Sequence, residues 1–596
     1  MKTSKNMTNP DIAELLRDVA AAYQLKDEKK ERFKIIAYQR AADAVEHASS
    51  ELKDLWDDGK LKDVPGIGES IAEHLGELFS SGKSKHFNEV MKGLPPAIFD
   101  LMKVPGIGVK RAYRLVTEFG VKSVSELKKV ASEGRIAKLE GFGQDSEQSI
   151  LKSISDYEKK PPTRNLLPYA MEIAANIISY LKENKNVLKV DPLGSLRRQA
   201  STVGDIDISA ASNNSDEVIK HFTAYPKATR VLEKGQRTAS LILPGNIQVD
   251  LMVTDPKGYG SLLQHFTGSK HHNIALRERA LKMGLSVSDY GIKKLKSKGG
   301  KLELFSNEES FYKRLGLDYI QPELREDTGE IEAAVSHKLP DLVELKDVKA
   351  DLQIHSSFDI ETSHDLGQSS MEEIVRKANE LKYEYIAFTE HNPSKSKHSE
   401  GEIIEVLKKK KEVVEKLNYS LVKSMKGSVK KVFNSLEIDI LSDGSLPVPE
   451  SGLELLDFAL VSIHSSFRLP RAEMTERVLS AMSHPKVKIF AHPTGRKLNE
   501  REGVELNWPE VFDFCKKNNK WIEINCDPAR LDLPDTLVRE AVKSGIKLTF
   551  GTDAHHKDGL NNMSFGLSVA RRGWATSSDI INTRSLIEFE KMLGGD

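Results

Sequence analysis

Two acids one residue apart, Asp205 and Asp207 in Gly204-Asp205-Ile206-Asp207-Ile208, follow closely on the turn Gly194-Ser195-Leu196-Arg197-Arg198. A third acid, Asp250, stands in the later apolar run Ile247-Gln248-Val249-Asp250-Leu251. On a strand, alternation sends both acids to one face while Ile206 and Ile208 anchor the other. Carboxylates held side by side repel unless a cation neutralises them, and hard divalent ions such as Mg²⁺ take oxygen ligands while keeping places for substrate phosphate. Asp250 on a neighbouring strand would complete a two-metal clamp for in-line phosphoryl transfer. Gly194 and Ser195 offer backbone and hydroxyl donors to a phosphate, and Arg198 adds a planar cation suited to bidentate contact.

A second set of chemically capable residues lies in the last 250 or so positions, each at the end of an apolar run. They are Gln353 and His355, Glu390 and His391, Glu437 and Asp439, His464, His492, and Asp553-Ala554-His555. One histidine after a strand is usually a capping or core residue. Five of them with carboxylates interspersed point to a metal cluster.

The elements that must position these groups differ along the chain. Residues 1 to about 160 show helical apolar spacing, as in Ile12, Leu15, Leu16, Val19 and in Phe33, Ile36, Ala37, Ala41. Within them Val64-Pro65-Gly66-Ile67-Gly68 recurs as Val104-Pro105-Gly106-Ile107-Gly108. Glycine turns opening helices can present backbone N–H groups to a DNA phosphate without reading sequence. Pro161-Pro162 then breaks the helical pattern. From Lys349 onward strand-like runs alternate with helical patterns, as in an α/β barrel whose C-terminal strand ends converge on one face.

The first constellation resembles the nucleotidyltransferase palm of the family X DNA polymerases, those related to polymerase beta. That resemblance implies catalytic roles for Asp205, Asp207 and Asp250, with two Mg²⁺ ions, and triphosphate contacts from Arg164, Gly194, Ser195, Arg198 and Gly204. Phe266-Thr267-Gly268-Ser269 resembles the family's sugar-discriminating turn, and Phe266, Gly268 and Asn273 would face the nucleotide, with Arg277 on the DNA. The glycine pairs look like helix-hairpin-helix elements, so Gly66, Gly68, Gly106 and Gly108 are expected at the DNA backbone, together with Lys34 near a 5′-phosphate. His74 stands where the family's lyase lysine is expected, and imidazole lacks the primary amine that imine chemistry needs. The adjacent histidines His271 and His272 point in different directions on a helix and read as structural.

The second constellation resembles the polymerase and histidinol phosphatase (PHP) domain, a metal-dependent phosphoesterase. It implies His355, His391, Glu437, His464, His492, Asp553 and His555 as ligands of two or three Mn²⁺ or Zn²⁺ ions. Gln353 replaces the first histidine of the expected pair, and an insertion after His355 leaves either Asp359 or Asp365 as a further ligand.

The fold class expected is therefore multidomain α+β and α/β. It comprises a helical region over 1–85 and a helix-hairpin-helix subdomain over 86–160, then a palm over 161–260 and a thumb-like nucleotide-binding subdomain over 261–335. A linker over 336–347 leads to a PHP-type distorted β/α barrel over 348–596. The net charge of zero conceals a split: residues 1–300 carry 47 Lys+Arg against 38 Asp+Glu, and residues 301–596 carry 41 against 50. A basic first half suits a polyanion. Two cysteines, Cys515 and Cys526, are too few for a disulfide framework, and no apolar run spans a bilayer.

The expectation is a cytoplasmic, monomeric DNA polymerase acting on gapped or nicked duplex with deoxynucleoside triphosphates, carrying 3′-5′ exonuclease or related 3′-end activity. Two other readings stay open: a DNA-end-binding scaffold or polymerase with an inactive PHP domain, and a nucleotidyltransferase on RNA or protein joined to a small-molecule phosphatase.

Overall fold

The structure is a computed structural model that describes residues 7, 9–46, 52, 56, 61–64, 67–104, 107–158, 164–295, 301–424 and 427–594. Gly66 and Gly106 lie outside the described residues. Backbone contacts divide the chain into two compact units. One comprises 1–177 with 223–234 and 239–250; the other comprises 178–222, 235–238 and 251–596.

The first unit is largely helical. Helix α1 (Asn9–Asp27) packs on α2 (Arg32–Glu46), and two later helices, α3 (Glu69–Ser81) and α4 (Val109–Phe119), follow the glycine turns. Helix α3 ends because Gly82 adopts φ +81, a left-handed conformation that lets its N–H reach Leu78 O. The apolar stripe of α2 differs from the one expected. Ile35, Tyr38, Ala41, Ala42 and Val45 are buried, whereas Phe33 is 87% exposed and Ala37 is exposed. The α2 sequence offers apolar residues on more than one face, and packing selects the face containing Tyr38.

A five-stranded sheet is built from β1 (Lys189–Pro192), β2 (Ile206–Ala211), β3 (Arg230–Lys234), β4 (Thr238–Leu243) and β5 (Ile247–Thr254), in the order β1-β2-β5-β4-β3. β1 is antiparallel to β2, and β3 to β4. In the second unit, α5 (Tyr259–Thr267) and α6 (Lys270–Lys282) precede the short strands Leu285–Ser288 and Gly291–Lys294. This segment has its own core around Leu276, Phe311, Tyr312 and Ile320.

The C-terminal region is α/β. Strands β6 (Ala350–Ile354), β7 (Tyr385–Phe388) and β8 (Lys431–Asn434) form one parallel sheet. Strands β9 (Glu437–Asp439), β10 (Ala459–Ser462), β11 (Val487–Phe490), β12 (Trp521–Asn525) and β13 (Leu548–Gly551) form another. The expected barrel is thus not one closed sheet among the described residues. Single parallel bridges join the two sheets: Ile354, at the end of edge strand β6, to Ala554, just past edge strand β13, and His391, just past the central strand β7, to Glu437 on β9. Both strand faces are covered, as parallel sheets require: Ile354, Ile386 and Val461 face one core, while Leu352, Tyr385 and Leu460 face another. Three helices from this region matter below: α7 (Glu400–Ser424), α8 (Asp535–Ser544) and α9 (Met563–Arg572).

Candidate functional site

The acid pair sits as the alternation requires. Ile206 and Ile208 are fully buried, Asp207 is half-buried on the opposite face of β2, and Asp205 is exposed just before the strand. Asp250 is half-buried on β5, with both carboxylate oxygens accepting from the Gln248 amide at 3.2 and 3.0 Å. The turn at Gly194 is fitted to Asp207. The Leu193 N–H donates to Asp207 O at 2.8 Å. Gly194 has φ +57, and a Cβ there would lie 2.5 Å from Asp207 Oδ2. Gly194→Ala should therefore displace the carboxylate and strain the turn by roughly 1–2 kcal/mol. We expect a modest fall in thermal stability and a loss of nucleotide addition on the order of 100-fold, as for a misplaced catalytic group; primer extension beside a melting curve checks both.

Arg198 is oriented by the segment beyond the palm. Its Nε donates to Glu326 Oε1 at 2.7 Å and its Nη1 to the Thr267 carbonyl at 2.8 Å. Arg197 donates to Thr267 Oγ1 at 2.7 Å and pairs with Glu308 at 2.6 Å. The expected phosphate turn and the expected sugar turn are thereby tied through Thr267. Gly268 terminates α5, and a Cβ there would meet Asn273 Oδ1 and the His272 ring, each at 2.7 Å. Phe266 lies in the last turn of α5, and the Asn273 amide donates to His265 O at 2.7 Å. Arg277 is exposed on α6, while Ser195 and Gly204 are half-buried beside the turn.

The paired histidines separate as expected. His271 is exposed, and His272 is fully buried between Glu330 Oε1 at 2.6 Å and the Tyr312 hydroxyl at 3.1 Å.

In the first unit, Gly68 and Gly108 are the N-caps of α3 and α4, without side-chain caps. Their first-turn N–H groups are those a phosphate would meet. Arg164 is exposed just before the short strand Asn165–Leu166. Lys34 pairs with Glu31 at 2.8 Å and lies 5.0 Å from the Tyr23 ring centroid. His74 stacks on His86 with centroids 3.9 Å apart, and its Nδ1 is 3.0 Å from the Tyr38 hydroxyl.

Most of the C-terminal groups follow the C-terminal ends of their strands, whereas Glu437 opens β9. Glu437 is the centre, fully buried. Its Oε1 is 2.7 Å from His492 Nε2 and 3.2 Å from His464 Nε2. Its Oε2 is 3.2 Å from His355 Nε2, 3.7 Å from His391 Nδ1 and 2.7 Å from the Gln353 amide nitrogen, which donates to it. Asp553 Oδ1 adds a second acid 3.1 Å from His355 Nε2. The His555 ring stacks on His355 with centroids 4.3 Å apart.

Four overlapping sets bring ligand atoms within 4.8 Å of one another: His355, His391 and His555; His364, His391 and His464; Glu437, His464 and His492; and His355, Glu437 and Asp553. Both ring nitrogens of His355 and Nδ1 of His391 and of His492 are buried without a hydrogen-bond partner among the described residues. Atoms this close that do not point at one another are arranged as ligands around shared ions are, so the donor set fits a polynuclear metal centre.

Charge reinforces that fit. Burial opposes ionisation of Glu437 and Asp553, yet the surrounding histidines hold both carboxyls well below the usual range. His355 is pushed up to about 10: burial works against its charge, and Asp553 and Glu437 override it. His464 is pushed up to about 9 against burial by Asp439 and Glu437. The cluster thus demands positive charge, which protons supply here and divalent cations supply when bound.

One candidate ligand of this site, His364, was not legible in the sequence. His364 brings Nε2 to 2.9 Å from Asp439 Oδ2, and Asp439 Oδ1 is 2.7 Å from His464 Nδ1. The insertion after His355 thus contributes a histidine to these sets. Asp359 is exposed and accepts from its own loop at Glu361 N, while Asp365 is exposed and acts on His555 only through its charge. Glu390 is occupied elsewhere, by Lys410 at 2.6 Å on α7 and by Ser356. Beneath the ligands, Glu523 accepts from His492 N at 2.7 Å, and Gly551 leaves room for it, since a Cβ there would fall 2.0 Å from Glu523 Oε1. His492 and Asp553 have φ +28 and +54, uncommon for residues with side chains and concentrated at functional sites.

Three stretches of the chain match family models. The DNA polymerase beta thumb model matches residues 262–326, a helix-hairpin-helix domain matches 7–84, and a SAM-like helix-hairpin-helix tandem matches 98–156. The chain is 32% identical over 589 residues to the DNA polymerase/3′-5′ exonuclease PolX of Bacillus subtilis (strain 168), spanning 98% of this chain and 99% of that protein. It is 24% identical over 349 residues to DNA polymerase lambda of Rattus norvegicus, covering 53% of this chain and 56% of that one. A probable phosphatase of Thermoanaerobacter sp. (strain X514) is 24% identical over 182 residues, 28% of this chain and 72% of its own. The chain belongs to family X of the DNA polymerases.

Proposed function

We propose that this protein fills short gaps in DNA from deoxynucleoside triphosphates and hydrolyses phosphodiesters at DNA 3′ ends, each at its own metal site. In the palm, Asp205, Asp207 and Asp250 would hold two Mg²⁺ ions, and Ser195, Arg198 and Arg164 the triphosphate. Phe266, Gly268 and Asn273 would face the incoming nucleotide. Gly68, Gly108, Lys34 and Arg277 would meet the DNA backbone. This assignment divides the chain at the boundaries given above, with the PHP domain from 348 onward.

The observation that carries the hydrolytic half is the overlap of four ligand sets, two of which share Glu437. His355, His391, Glu437, His464, His492, Asp553 and His555, joined by His364 and Asp439, would hold two or three Mn²⁺ or Zn²⁺ ions. Bound there, divalent ions polarise the scissile phosphodiester and neutralise charge on the leaving oxygen. The protein's share is positioning: Gln353 fixes one oxygen of Glu437, and Glu523 fixes the backbone of His492. An inactive scaffold is disfavoured by the buried, unsatisfied imidazole nitrogens, which carry a desolvation penalty of roughly 1–3 kcal/mol each when nothing is bound. No lyase activity is assigned to His74, which lacks an amine.

The test is product analysis on a gapped duplex with Mg²⁺ or Mn²⁺. Wild type should add deoxynucleotides in preference to ribonucleotides and shorten unpaired 3′ ends. The double variant His492→Ala with His555→Ala should keep the first activity and lose the second. Retained 3′ digestion in that variant would refute the metal-site assignment, and ribonucleotide preference would move the palm to RNA.

A further inference from the structure

The phosphate turn is gripped from outside the polymerase core. Helix α9 begins eight residues after His555, and Ser568 and Arg572 lie four apart on one of its faces. The Ser568 hydroxyl donates to the Gln199 amide oxygen, and Gln199 holds φ +54 at the end of the phosphate turn. Arg572 Nη1 donates to Glu326 Oε1 at 2.8 Å and to the Arg198 carbonyl at 3.1 Å. The other side of the Arg572 fork rests on Asp535 Oδ2 at the start of α8, Nε at 2.8 Å and Nη2 at 2.7 Å. Glu326 Oε1 is therefore shared by two guanidiniums, Arg198 Nε at 2.7 Å and Arg572 Nη1 at 2.8 Å.

We infer that Arg572, a residue of the C-terminal region, is a positioning residue for nucleotide binding in the palm. The inference rests on the assignment of Arg198 as a triphosphate contact.

Glu326 is shared by two guanidiniums and Asp535 balances the charge of Arg572, so the four groups sum to zero and Arg572 acts by placement. It fixes the Glu326 oxygen that receives Arg198 Nε, which holds the Arg198 guanidinium in one orientation for phosphate. The bond from Arg572 to the Arg198 carbonyl, with that from Ser568 to Gln199, holds the backbone that carries the side chain. Arg572, Glu326 and Arg198 are 10, 25 and 13% exposed, so solvent weakens this network less than it would an exposed pair.

The experiment is single-nucleotide extension on a gapped duplex with the full chain, varying deoxynucleoside triphosphate, beside 3′-end hydrolysis of a single strand. Arg198→Ala should raise KM for the triphosphate. Arg572→Gln should raise it about tenfold with kcat changed less than threefold and hydrolysis unchanged, a size in keeping with coupled charge networks. Arg572→Lys should recover part of the loss. The double variant should be no worse than Arg198→Ala alone, because Arg572 acts through Arg198. Asp535→Asn, which meets Arg572 and not Arg198, should move KM the same way by about threefold and serves if Arg572→Gln does not fold.

An unchanged KM in Arg572→Gln beside a raised KM in Arg198→Ala overturns the inference alone. So does additivity in the double variant, or a parallel fall in hydrolysis. An unchanged KM in Arg198→Ala overturns the assignment of Arg198 and the inference with it.

Discussion

Glu437→Gln should reduce 3′-end hydrolysis by on the order of 10³-fold or more, about 4 kcal/mol of barrier, with gap extension retained. The size follows from position. The two oxygens of Glu437 face different halves of the cluster, His464 and His492 on one side and His355 and His391 on the other. Glutamine keeps the shape and removes the charge, so both halves lose their shared counter-ion at once. It also turns an acceptor into a donor toward one set of imidazoles, and the Gln353 amide, which donates to the same carboxylate, would then face a second amide. Metal content measured on the purified variant should fall with the hydrolysis. If the variant keeps its metals and hydrolyses at the wild-type rate, Glu437 is not the shared ligand. The neighbouring His364→Ala should be milder, because it removes one of three histidines in a single set rather than the acid common to two.

How much of this could be read from the chain depends on whether the signal was local. Asp205, Ile206, Asp207 and Ile208 specify their own geometry through strand alternation, and the structure buries the isoleucines as that alternation requires. The clustering of the seven expected ligands was legible for a related reason: each stands within a few residues of the end of an apolar run, and the fold brings them near one another. His364 was not legible. It lies in an irregular segment after His355 where no periodicity fixes direction, and only the fold of that loop brings it to Asp439 in place of Asp359 or Asp365. The separation of the α/β region into two sheets was equally hidden, because runs of apolar residues announce strands without announcing which neighbours they pair with. Helix α2 illustrates a third limit. Phe33, its most apolar early residue, is exposed, and the buried stripe was set by the helices packed against it. The contacts of Arg572 with Glu326 and Arg198 are more distant still, spanning over two hundred residues, and no spacing rule could suggest them.

Asp207→Asn should abolish nucleotide addition, again by on the order of 10³-fold or more, while leaving 3′-end hydrolysis at its wild-type rate. The two acids of the pair are not equivalent. Asp205 is exposed before the strand begins, whereas Asp207 is half-buried within β2, between two fully buried isoleucines and against the space left open by Gly194. Its carboxylate has little freedom to move, which suits a ligand that must meet both ions and the triphosphate in one geometry. Asparagine fills the same volume, so a loss of activity would be assigned to charge and not to packing. Added Mg²⁺ should raise the melting temperature of wild type more than that of the variant, because only the intact acid pair binds the ion well. An equal gain in melting temperature for wild type and variant would show that Asp207 is not a ligand of the ion, whatever its effect on nucleotide addition.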